Sequence, residues 1–268
     1  MVKISVIIPC YNQKDYIAEC LESVLNQTYT DYEIIVINDG SKDKSLSVIE
    51  QYAQKYPNKI SVIDQENQGV IVARNNGIKQ SKGIYIYPLD GDDKIAPTCL
   101  EKLCQSMDKN KGDIIYSKVH YFGNKTGEFK TLPATCFNMS LSNQVVVSAL
   151  FRKCDWEKYG GYDECMKNGL EDWEFWLNFC EDNKKFYKVD EILFFYRITE
   201  NSRNAIPKHI QKELYNYIRK KHHQFYKKMR IPIILYKIFR FFYQKKITKS
   251  GVLSIKICKI PVFRRRIK

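Results

Sequence analysis

Short, continuously apolar runs alternate along the first hundred residues with segments in which apolar residues recur at helical spacing. The apolar runs predict β-strands at 4–8, 32–37, 60–63 and 84–89. The helical spacing predicts α-helices at 15–26, 46–52 and 70–80. Strands that are apolar throughout, with helices between them, are typical of a parallel sheet covered on both faces. The pattern therefore predicts an α/β fold, in which ligands bind at the carboxyl ends of the strands.

The pattern becomes less regular after residue 96. It predicts a helix at 97–107, a strand at 113–122, a helix at 171–181 and a strand at 188–196. Residues 124–150 are expected to form turns and short antiparallel strands. From residue 207 onward the chain is predicted to be helical. We therefore expect an α/β domain at 1–206 and a basic, amphipathic helical tail at 207–268.

The distribution of charge supports this division. The chain has a formal net charge of +14, yet residues 203–268 hold 20 Lys and Arg against one acidic residue, Glu213. The preceding residues hold 24 basic and 29 acidic side chains. A mildly acidic body thus carries a strongly basic tail, and such a tail indicates a polyanionic partner, either nucleic acid or an anionic membrane surface.

Cysteine usage and missing motifs narrow the possible classes of protein. The nine cysteines form no CxxC pair and have no zinc-binding spacing. The apolar run near the N-terminus is too short for a signal peptide or a membrane span, so we expect reduced thiols and a cytoplasmic location. The sequence has no GxGxxG, HExxH or GxSxG motif, and none of its twelve glycines precedes a lysine. These absences disfavour dinucleotide-binding enzymes, zinc proteases, serine hydrolases and P-loop proteins.

The sharpest chemical feature is Leu89-Asp90-Gly91-Asp92-Asp93, directly after the fourth predicted strand. Three neighbouring carboxylates repel one another unless a cation or hydrogen-bond donors offset their charge. Mg²⁺ is typically held by one or two carboxylates together with substrate phosphates. A plain surface turn is the alternative, because Asp and Gly are common turn residues.

Two further segments follow predicted strands at the same edge of the sheet. Pro9-Cys10-Tyr11-Asn12 follows the first strand, and Asp39 follows the second. An aromatic ring and an acceptor carboxylate suit a flat heterocycle with an N–H donor, although Asp39 could equally cap the next helix. Asn67-Gln68-Gly69 then precedes the third helix, which carries Arg74, and a helix N-terminus near an arginine favours a phosphate.

Taken in order, these motifs resemble those of the family 2 glycosyltransferases. The order is Ile-Ile-Pro-Cys-Tyr-Asn, Asn-Asp-Gly-Ser, Asn-Gln-Gly-(x)₃-Ala-Arg-Asn-x-Gly, Leu-Asp-Gly-Asp-Asp, Gly-Gly-Tyr-Asp-Glu at 160–164 and Gly-Leu-Glu-Asp-Trp-Glu at 169–174. The resemblance covers about residues 3–202 and implies a GT-A fold, a Rossmann-like and mostly parallel sheet flanked by helices. It does not account for the tail.

The resemblance implies a nucleotide-sugar donor, most simply a UDP-sugar, and a divalent cation, Mn²⁺ or Mg²⁺. By this analogy Asp92 is the metal ligand, and Asp39 accepts a hydrogen bond from a uracil N–H. Arg74 would lie near the diphosphate, and Asp90 and Asp93 would orient the sugar, the ribose or a metal-bound water. The full set expected around the donor is Pro9, Tyr11, Asn12, Asp39, Asn67, Arg74, Asp90, Gly91 and Asp93.

The same resemblance assigns the catalytic base to Asp172, in the Glu-Asp motif at the start of a predicted helix. Acidic residues at a helix start also interact favourably with the helix dipole, which is the structural alternative for Asp172. The sequence departs from the family at Thr199, where members often have a histidine after a Tyr-Arg pair that assists metal or diphosphate binding. Ser202 and Arg203 follow closely and would contact phosphate.

The basic tail also contains apolar residues at helical spacing, among them Ile231, Ile234 and Leu235. Alternating basic and apolar faces are typical of a helix that lies in a membrane interface. The run is interrupted by charges and is too short to span a bilayer. We therefore expect peripheral association with an anionic membrane and no nucleic-acid partner. The alternatives are a helical pair with a solvated basic face, or RNA binding.

Together these features predict an inverting glycosyltransferase that transfers a sugar from a nucleotide-sugar to a hydroxyl of a saccharide or lipid-linked saccharide, in surface polysaccharide biosynthesis. Two rival functions are left open. A sugar nucleotidyltransferase also uses carboxylate-bound Mg²⁺, but it releases pyrophosphate. A non-catalytic saccharide-binding module on the same scaffold would need none of the acidic residues.

Overall fold

A computed structural model describes residues 2–199, 206–247, 252–257 and 260–266. The contacts divide the chain into two compact units, at residues 1–222 and 223–268. The first unit contains all the residues predicted to bind the donor or to catalyse. Its fold therefore sets the geometry of the candidate site.

The helices of the first unit are α1 (Ile17–Leu25), α2 (Ser45–Lys55), α3 (Val70–Gln80), α4 (Cys99–Asp108), α5 (Cys136–Leu141), α6 (Lys153–Tyr159), α7 (Glu171–Glu181) and α8 (Lys208–Lys221). Its strands are β1 (Ile4–Cys10), β2 (Tyr32–Asp39), β3 (Ile60–Gln65), β4 (Tyr85–Pro88), β5 (Lys94–Ile95), β6 (Ile114–Gly123), β7 (Gly127–Phe129), β8 (Leu150–Arg152) and β9 (Phe186–Ile198). The predicted strands and helices of the first hundred residues are confirmed, with small shifts at their ends.

The strands form one mixed sheet in the order β3-β2-β1-β4-β8-β6-β9-β5, with β7 paired to β6. The pairs β3-β2, β2-β1 and β1-β4 are parallel. Every residue of β1 and β2 is buried, because helices cover both faces of the sheet. This burial explains why these strands are mostly apolar, and their buried polar pair is hydrogen-bonded, from Ser5 Oγ to Glu33 Oε1 at 2.6 Å. The predicted α/β class is confirmed.

The second half of the sheet contains the departures from a purely parallel order. β8 pairs antiparallel with both β4 and β6, and β5 pairs antiparallel with β9. The β5–β9 pairing places the segment that follows the Asp90 motif beside the end of β9. It thereby brings Thr199, at the end of β9, towards the carboxyl ends of the parallel strands.

Two helices occur where the sequence did not predict them. α5 lies within 124–150, which was expected to contain only turns and short strands, and α6 follows β8 directly. α5 is six residues long, and Thr135 caps it by accepting a hydrogen bond from the Asn138 N–H. A helix of fewer than two turns has too few residues for its apolar period to be recognised, which explains why α5 was missed.

Charged side chains attach α8 to α7. Glu174 on α7 is fully buried, and its Oε1 lies 2.7 Å from Lys221 Nζ and 2.9 Å from His222 Nε2. Leu214 and Ile218 of α8 are also buried. α8 therefore belongs to the first unit by its contacts, whereas the division at residue 206 stays a prediction from sequence.

The second unit contains α9 (His223–Phe242), β10 (Tyr243–Ile247), β11 (Val252–Ile257) and β12 (Ile260–Arg266). The strands pair antiparallel in the order β10-β11-β12. The described part of the tail is thus helical as far as residue 242, as predicted, but Tyr243–Ile247, Val252–Ile257 and Ile260–Arg266 form strands where helix was expected. In the part of the chain that the structure describes, no helix is both long and apolar enough to cross a bilayer.

Candidate functional site

The carboxyl ends of β1, β2 and β4 border a cleft of about 370 Å³. Its lining combines aromatic, amide and carboxylate side chains from segments far apart in the sequence, namely Pro9, Cys10, Tyr11, Gln13, Asp39, Asn67, Gly69, Val70, Asp90, Asp92, Tyr196 and Thr199. Six of the residues predicted to contact the donor or its metal are among them: Pro9, Tyr11, Asp39, Asn67, Asp90 and Asp92. The cleft lies at the edge of the sheet where α/β proteins bind their ligands.

Asp39 holds the loop before α3 against the end of β2. Its Oδ1 accepts hydrogen bonds from Gln68 N at 2.9 Å and Gln65 Nε2 at 2.8 Å, and its Oδ2 accepts one from Gly69 N at 2.8 Å. Asp39 is 2% exposed but borders the cleft. The carboxylate therefore shapes the cleft wall and leaves the N-terminus of α3 facing the cleft.

The loop after β1 is connected to the loop after β2 through Asn12. Asn12 adopts a left-handed backbone conformation with φ of 53°. Its N–H donates to Ser41 Oγ at 3.0 Å, and its Oδ1 accepts from Lys42 N at 2.7 Å. Asn12 thus braces the two loops, and it does not line the cleft. Tyr11 beside it does line the cleft and is 38% exposed.

The three acidic residues of the Asp90 motif point in different directions. Asp90 and Asp92 border the cleft, whereas Asp93 is buried and its Oδ1 accepts a hydrogen bond from Arg197 N at 2.8 Å. Burial and the neighbouring charges of Asp92 and Asp90 raise the pKa of Asp93 well above its usual range. Asp93 therefore connects the motif to β9 inside the wall, and the structure does not bring it to the cleft surface.

Gly91 allows this motif to approach β1 closely. A Cβ atom at position 91 would lie 2.4 Å from Gln13 Oε1 and 3.2 Å from the Pro9 carbonyl oxygen. A side chain here would push the motif away from the strand. Gly91 thus shapes the cleft through its small size and has no side chain to contact a ligand.

The acidic residues at the cleft fit a divalent cation that is shared with a substrate. Carboxylate oxygens are suitable ligands for Mg²⁺ and Mn²⁺. Within the described residues, no group of three or more His, Cys, Asp and Glu side chains could hold a metal ion by itself. Waters or a bound molecule such as a diphosphate would supply the remaining oxygen ligands of a cation at Asp92. Thr199, at the position of the family histidine, borders the same cleft. Ser202 and Arg203 lie outside the described residues.

Arg74 connects the Asp90 motif to the start of α7. Its guanidinium is 1% exposed and lies 2.9 Å from Asp90 Oδ1 and 3.4 Å from Glu171 Oε1. The ring of Tyr162 lies 5.2 Å away and adds a cation–π contact. Burial alone would lower the pKa of Arg74, but the charges of Asp90 and Glu171 raise it above its ordinary value. Arg74 does not line the cleft, and its expected position near a diphosphate stays a prediction.

Asp172 lies in the first turn of α7, next to Glu171. Its Oδ2 accepts a hydrogen bond from Asn143 Nδ2 at 2.8 Å, and its Oδ1 accepts one from Trp173 N at 2.7 Å. Burial and the charge of Glu171 raise the pKa of Asp172 to about 7, against the lowering effects of the Trp173 N–H, Arg74 and Asn143. A carboxyl group with this pKa can take up and release a proton near neutral pH.

The site therefore includes residues that the sequence did not reveal. Asn143, which holds Asp172, lies in the irregular segment after α5, and no motif marks it. Glu171 was noted only as a helix-start residue, and its ion pair with Arg74 joins positions 97 residues apart. Gln13, Val70 and Tyr196 line the cleft without having been singled out.

The cleft and its sheet define a GT-A glycosyltransferase fold. A fragment of TarS from S. aureus, solved in complex with UDP-GlcNAc, matches with a TM-score of 0.65 at 23% identity, over 76% of this chain and 61% of that one. PcManGT, a mannosyltransferase from Pyrobaculum calidifontis in complex with GDP-Man and Mn²⁺, matches with a TM-score of 0.61 at 16% identity. The match covers 75% of this chain and 58% of PcManGT. At these identities the likeness concerns the fold.

The chain belongs to glycosyl transferase family 2, whose family model matches residues 5–161. The predicted family is thus confirmed. Two relatives come from Bacillus subtilis. The minor teichoic acid biosynthesis protein GgaB is 33% identical over 213 residues, which are 75% of this chain and 24% of GgaB. The uncharacterized glycosyltransferase EpsJ is 31% identical over 236 residues, 78% of this chain and 67% of EpsJ. The chain therefore spans between a quarter and two thirds of these two relatives.

Replacing Arg74 with Met tests its role as the link between Asp90 and Glu171. The substitution keeps the bulk of the side chain and removes its charge. We expect the free energy of unfolding to fall by roughly 3 kcal/mol, because the two carboxylates lose their shared, buried cation. Urea unfolding followed by circular dichroism measures this change.

Arg152→Met is the matched control. Arg152 lies 3.1 Å from Asp113, but both side chains are about a quarter exposed, at 25% and 26%. Asp113 keeps a second cation in Arg152→Met, because Lys184 Nζ lies 3.5 Å from its Oδ1, and we therefore expect a loss of only about 1 kcal/mol. Equal losses in the two variants would contradict the proposed importance of the Arg74 link.

Proposed function

We propose that the protein is an inverting glycosyltransferase that transfers a sugar from a UDP-sugar to a hydroxyl group of a saccharide or lipid-linked saccharide, in the biosynthesis of a surface polysaccharide. The observation that carries the proposal is the cleft at the carboxyl edge of the sheet. It gathers an aromatic ring, a buried acceptor carboxylate, a helix N-terminus and two further carboxylates around one space. TarS was solved in complex with UDP-GlcNAc, which supports a UDP-sugar as the donor. The name of GgaB refers to teichoic acid biosynthesis, which supports a role in making a surface polysaccharide.

Each part of the cleft matches one part of a UDP-sugar. Tyr11 offers a ring to the uracil, and Asp39 offers an acceptor to its N–H. The N-terminus of α3 faces the cleft at Gly69 and Val70, and the backbone N–H groups of a helix start favour phosphate oxygens. Asp92 would hold Mn²⁺ or Mg²⁺ together with the diphosphate. When bound, the cation stabilises the negative charge that grows on the departing diphosphate.

Asp172 is proposed as the general base. As the acceptor hydroxyl attacks the anomeric carbon, its proton passes to the Asp172 carboxylate. A single displacement of this kind inverts the anomeric centre and needs no nucleophilic carboxylate. Asn143 and the Trp173 N–H orient the carboxylate through its two oxygens. Arg74 is proposed as a positioning residue, since it pairs with Asp90 at the cleft and with Glu171, the neighbour of Asp172.

Replacing Asp172 with Asn tests this assignment. We expect the transfer rate to fall at least about 100-fold, because the amide cannot accept the proton, while the affinity for UDP stays nearly unchanged. Transfer is measured by release of UDP and by mass spectrometry of the product. Asp190→Asn is the control, because the Asp190 side chain is 87% exposed on the surface. Loss of both UDP binding and transfer in Asp172→Asn would point to a structural role for Asp172. Release of pyrophosphate from a nucleoside triphosphate by the wild-type protein would point to a nucleotidyltransferase.

The pH dependence of the same reaction gives a second readout. The raised pKa of Asp172, at about 7, means that the carboxyl is protonated and inactive as a base below that pH. The transfer rate should therefore fall about tenfold per pH unit below pH 7 and level off above it. A rate that stays constant down to pH 5 would contradict the assignment of Asp172 as the base.

We further propose that α9 attaches the enzyme to an anionic membrane surface. Ile231, Ile234 and Leu235 share one side of this helix and are 70%, 45% and 60% exposed. Lys227 and Lys228, one turn earlier, are exposed as well. An apolar face flanked by basic residues matches a helix lying in the headgroup region, where each base contributes about 1 kcal/mol. A lipid-linked acceptor would be presented at the same surface.

Replacing Ile231, Ile234 and Leu235 together with Ser tests the membrane proposal in the full-length chain. We expect binding to vesicles that contain anionic lipid to weaken at least about tenfold, because the apolar face can no longer enter the interface. Sedimentation with vesicles measures the bound fraction. Leu132→Ser is the control, because Leu132 is an equally exposed apolar residue, at 53%, in the first unit. Unchanged sedimentation of the triple variant would contradict a membrane role for α9.

A further inference from the structure

Two cysteines meet where α5 packs beside α7. Cys136, half-buried at the start of α5, has its Sγ 3.9 Å from the carbonyl oxygen of Cys180, near the end of α7. The Cys180 side chain, 3% exposed, is buried at this contact between α5 and α7. The pair therefore has one member within reach of solvent and one member protected behind it.

The two thiols differ in acidity. The hydrogen bond from Cys180 lowers the pKa of Cys136 to about 7, and the same contact raises the pKa of Cys180. Burial instead raises the pKa of Cys10 and of Cys99 to about 12. Since the thiolate is the reactive form of cysteine, Cys136 is the thiol prepared to react near neutral pH.

The segment that begins at Cys136 leads directly to Asp172. Trp173 Nε1 on α7 donates to the Met139 carbonyl at 2.7 Å, and Asn143 donates to Asp172 Oδ2 at 2.8 Å. The contacts follow each other in reverse order along the two segments, so residues 136–143 run antiparallel to α7. The cysteine pair lies at one end of the contact between residues 136–143 and α7, and Asp172 lies at the other end.

We propose that Cys136 and Cys180 form a reversible disulfide when a peroxide oxidises Cys136, and that this bond lowers catalysis by displacing the segment that orients Asp172. In the first step the Cys136 thiolate attacks a peroxide oxygen, the O–O bond breaks, and a sulfenic acid and one water are formed once a proton is taken up. In the second step the Cys180 sulfur attacks the sulfenic sulfur, its proton passes to the sulfenic oxygen as the S–O bond breaks, and a second water leaves. One hydrogen peroxide and two thiols thus give one disulfide and two waters.

The geometry of a disulfide explains the effect on the site. The bond requires a sulfur–sulfur distance of about 2 Å and a fixed dihedral angle, both tighter than a thiol contact. Closing the bond draws the start of α5 against α7. The hydrogen bond from Asn143 to Asp172, at the far end of the same short segment, is then strained or lost.

Mass spectrometry of the peroxide-treated full-length protein tests the bond itself. After free thiols are alkylated in denaturant, a protease digest without reductant should contain one peptide pair that joins Cys136 to Cys180, and dithiothreitol should release it. The Cys136→Ser and Cys180→Ser variants should lack this pair. Cys154→Ser should keep it, because Cys154 is an exposed cysteine outside the pair. Oxidation of Cys136 only to sulfinic acid, or only to bonds between two chains, would overturn the proposal.

The transfer rate tests the link to Asp172, and this part rests on the proposed function. Oxidation should lower the rate of the wild-type protein at least about tenfold, dithiothreitol should restore it, and Cys136→Ser should be insensitive to peroxide. A disulfide with an unchanged rate would overturn the link to Asp172. Absence of transfer in the reduced wild-type protein would overturn the proposed function, whereas the mass measurement would still decide whether the disulfide forms.

Discussion

A buried guanidinium, that of Arg74, joins the two halves of the candidate site. Asp90 comes from the edge of the parallel sheet, and Glu171 comes from the start of α7. Without the Arg74 guanidinium between them, the carboxylates of Asp90 and Glu171 would face each other in a partly buried space, where unpaired charges cost several kcal/mol. Because α3 carries Arg74 and packs on β1 and β2, the sheet fixes the position of α7 relative to the cleft. In the proposed function, donor binding and the transfer step both depend on this ion-pair network.

The three carboxylates of the Asp90 motif have different surroundings. Asp90 is held by Arg74, and Asp93 is buried, accepts a hydrogen bond from the Arg197 N–H and has its pKa raised by burial and by the charges of Asp92 and Asp90. Asp92 borders the cleft between them. The ion pair at Asp90 and the raised pKa of Asp93 both reduce the repulsion expected from three adjacent carboxylates. In the proposed function, Asp92 would hold a cation together with the diphosphate of the donor.

The sequence predicted the features that depend on local patterns. Strands buried on both faces must be apolar throughout, so β1, β2 and the cleft at their ends were predictable. The roles of Arg74 and Asp93 were not, because their partners Glu171 and Arg197 are about a hundred residues away. Asn143 was hidden in a segment without a motif. The strands Tyr243–Ile247, Val252–Ile257 and Ile260–Arg266 were missed because short segments that mix basic and apolar residues do not distinguish a strand from a helix by their period.

Calorimetric titration with UDP tests the central claim, that acidic residues at the rim of the sheet bind a nucleotide diphosphate through a cation. The account predicts that UDP binds to the wild-type protein in the presence of Mn²⁺. It also predicts at least about tenfold weaker binding when Asp92 is replaced by Asn, a loss of about 1.4 kcal/mol. Removing Mn²⁺ should weaken binding to the wild-type protein and leave the weak binding of the Asp92→Asn variant unchanged. Equal affinity of both proteins for UDP with and without Mn²⁺ would contradict the account.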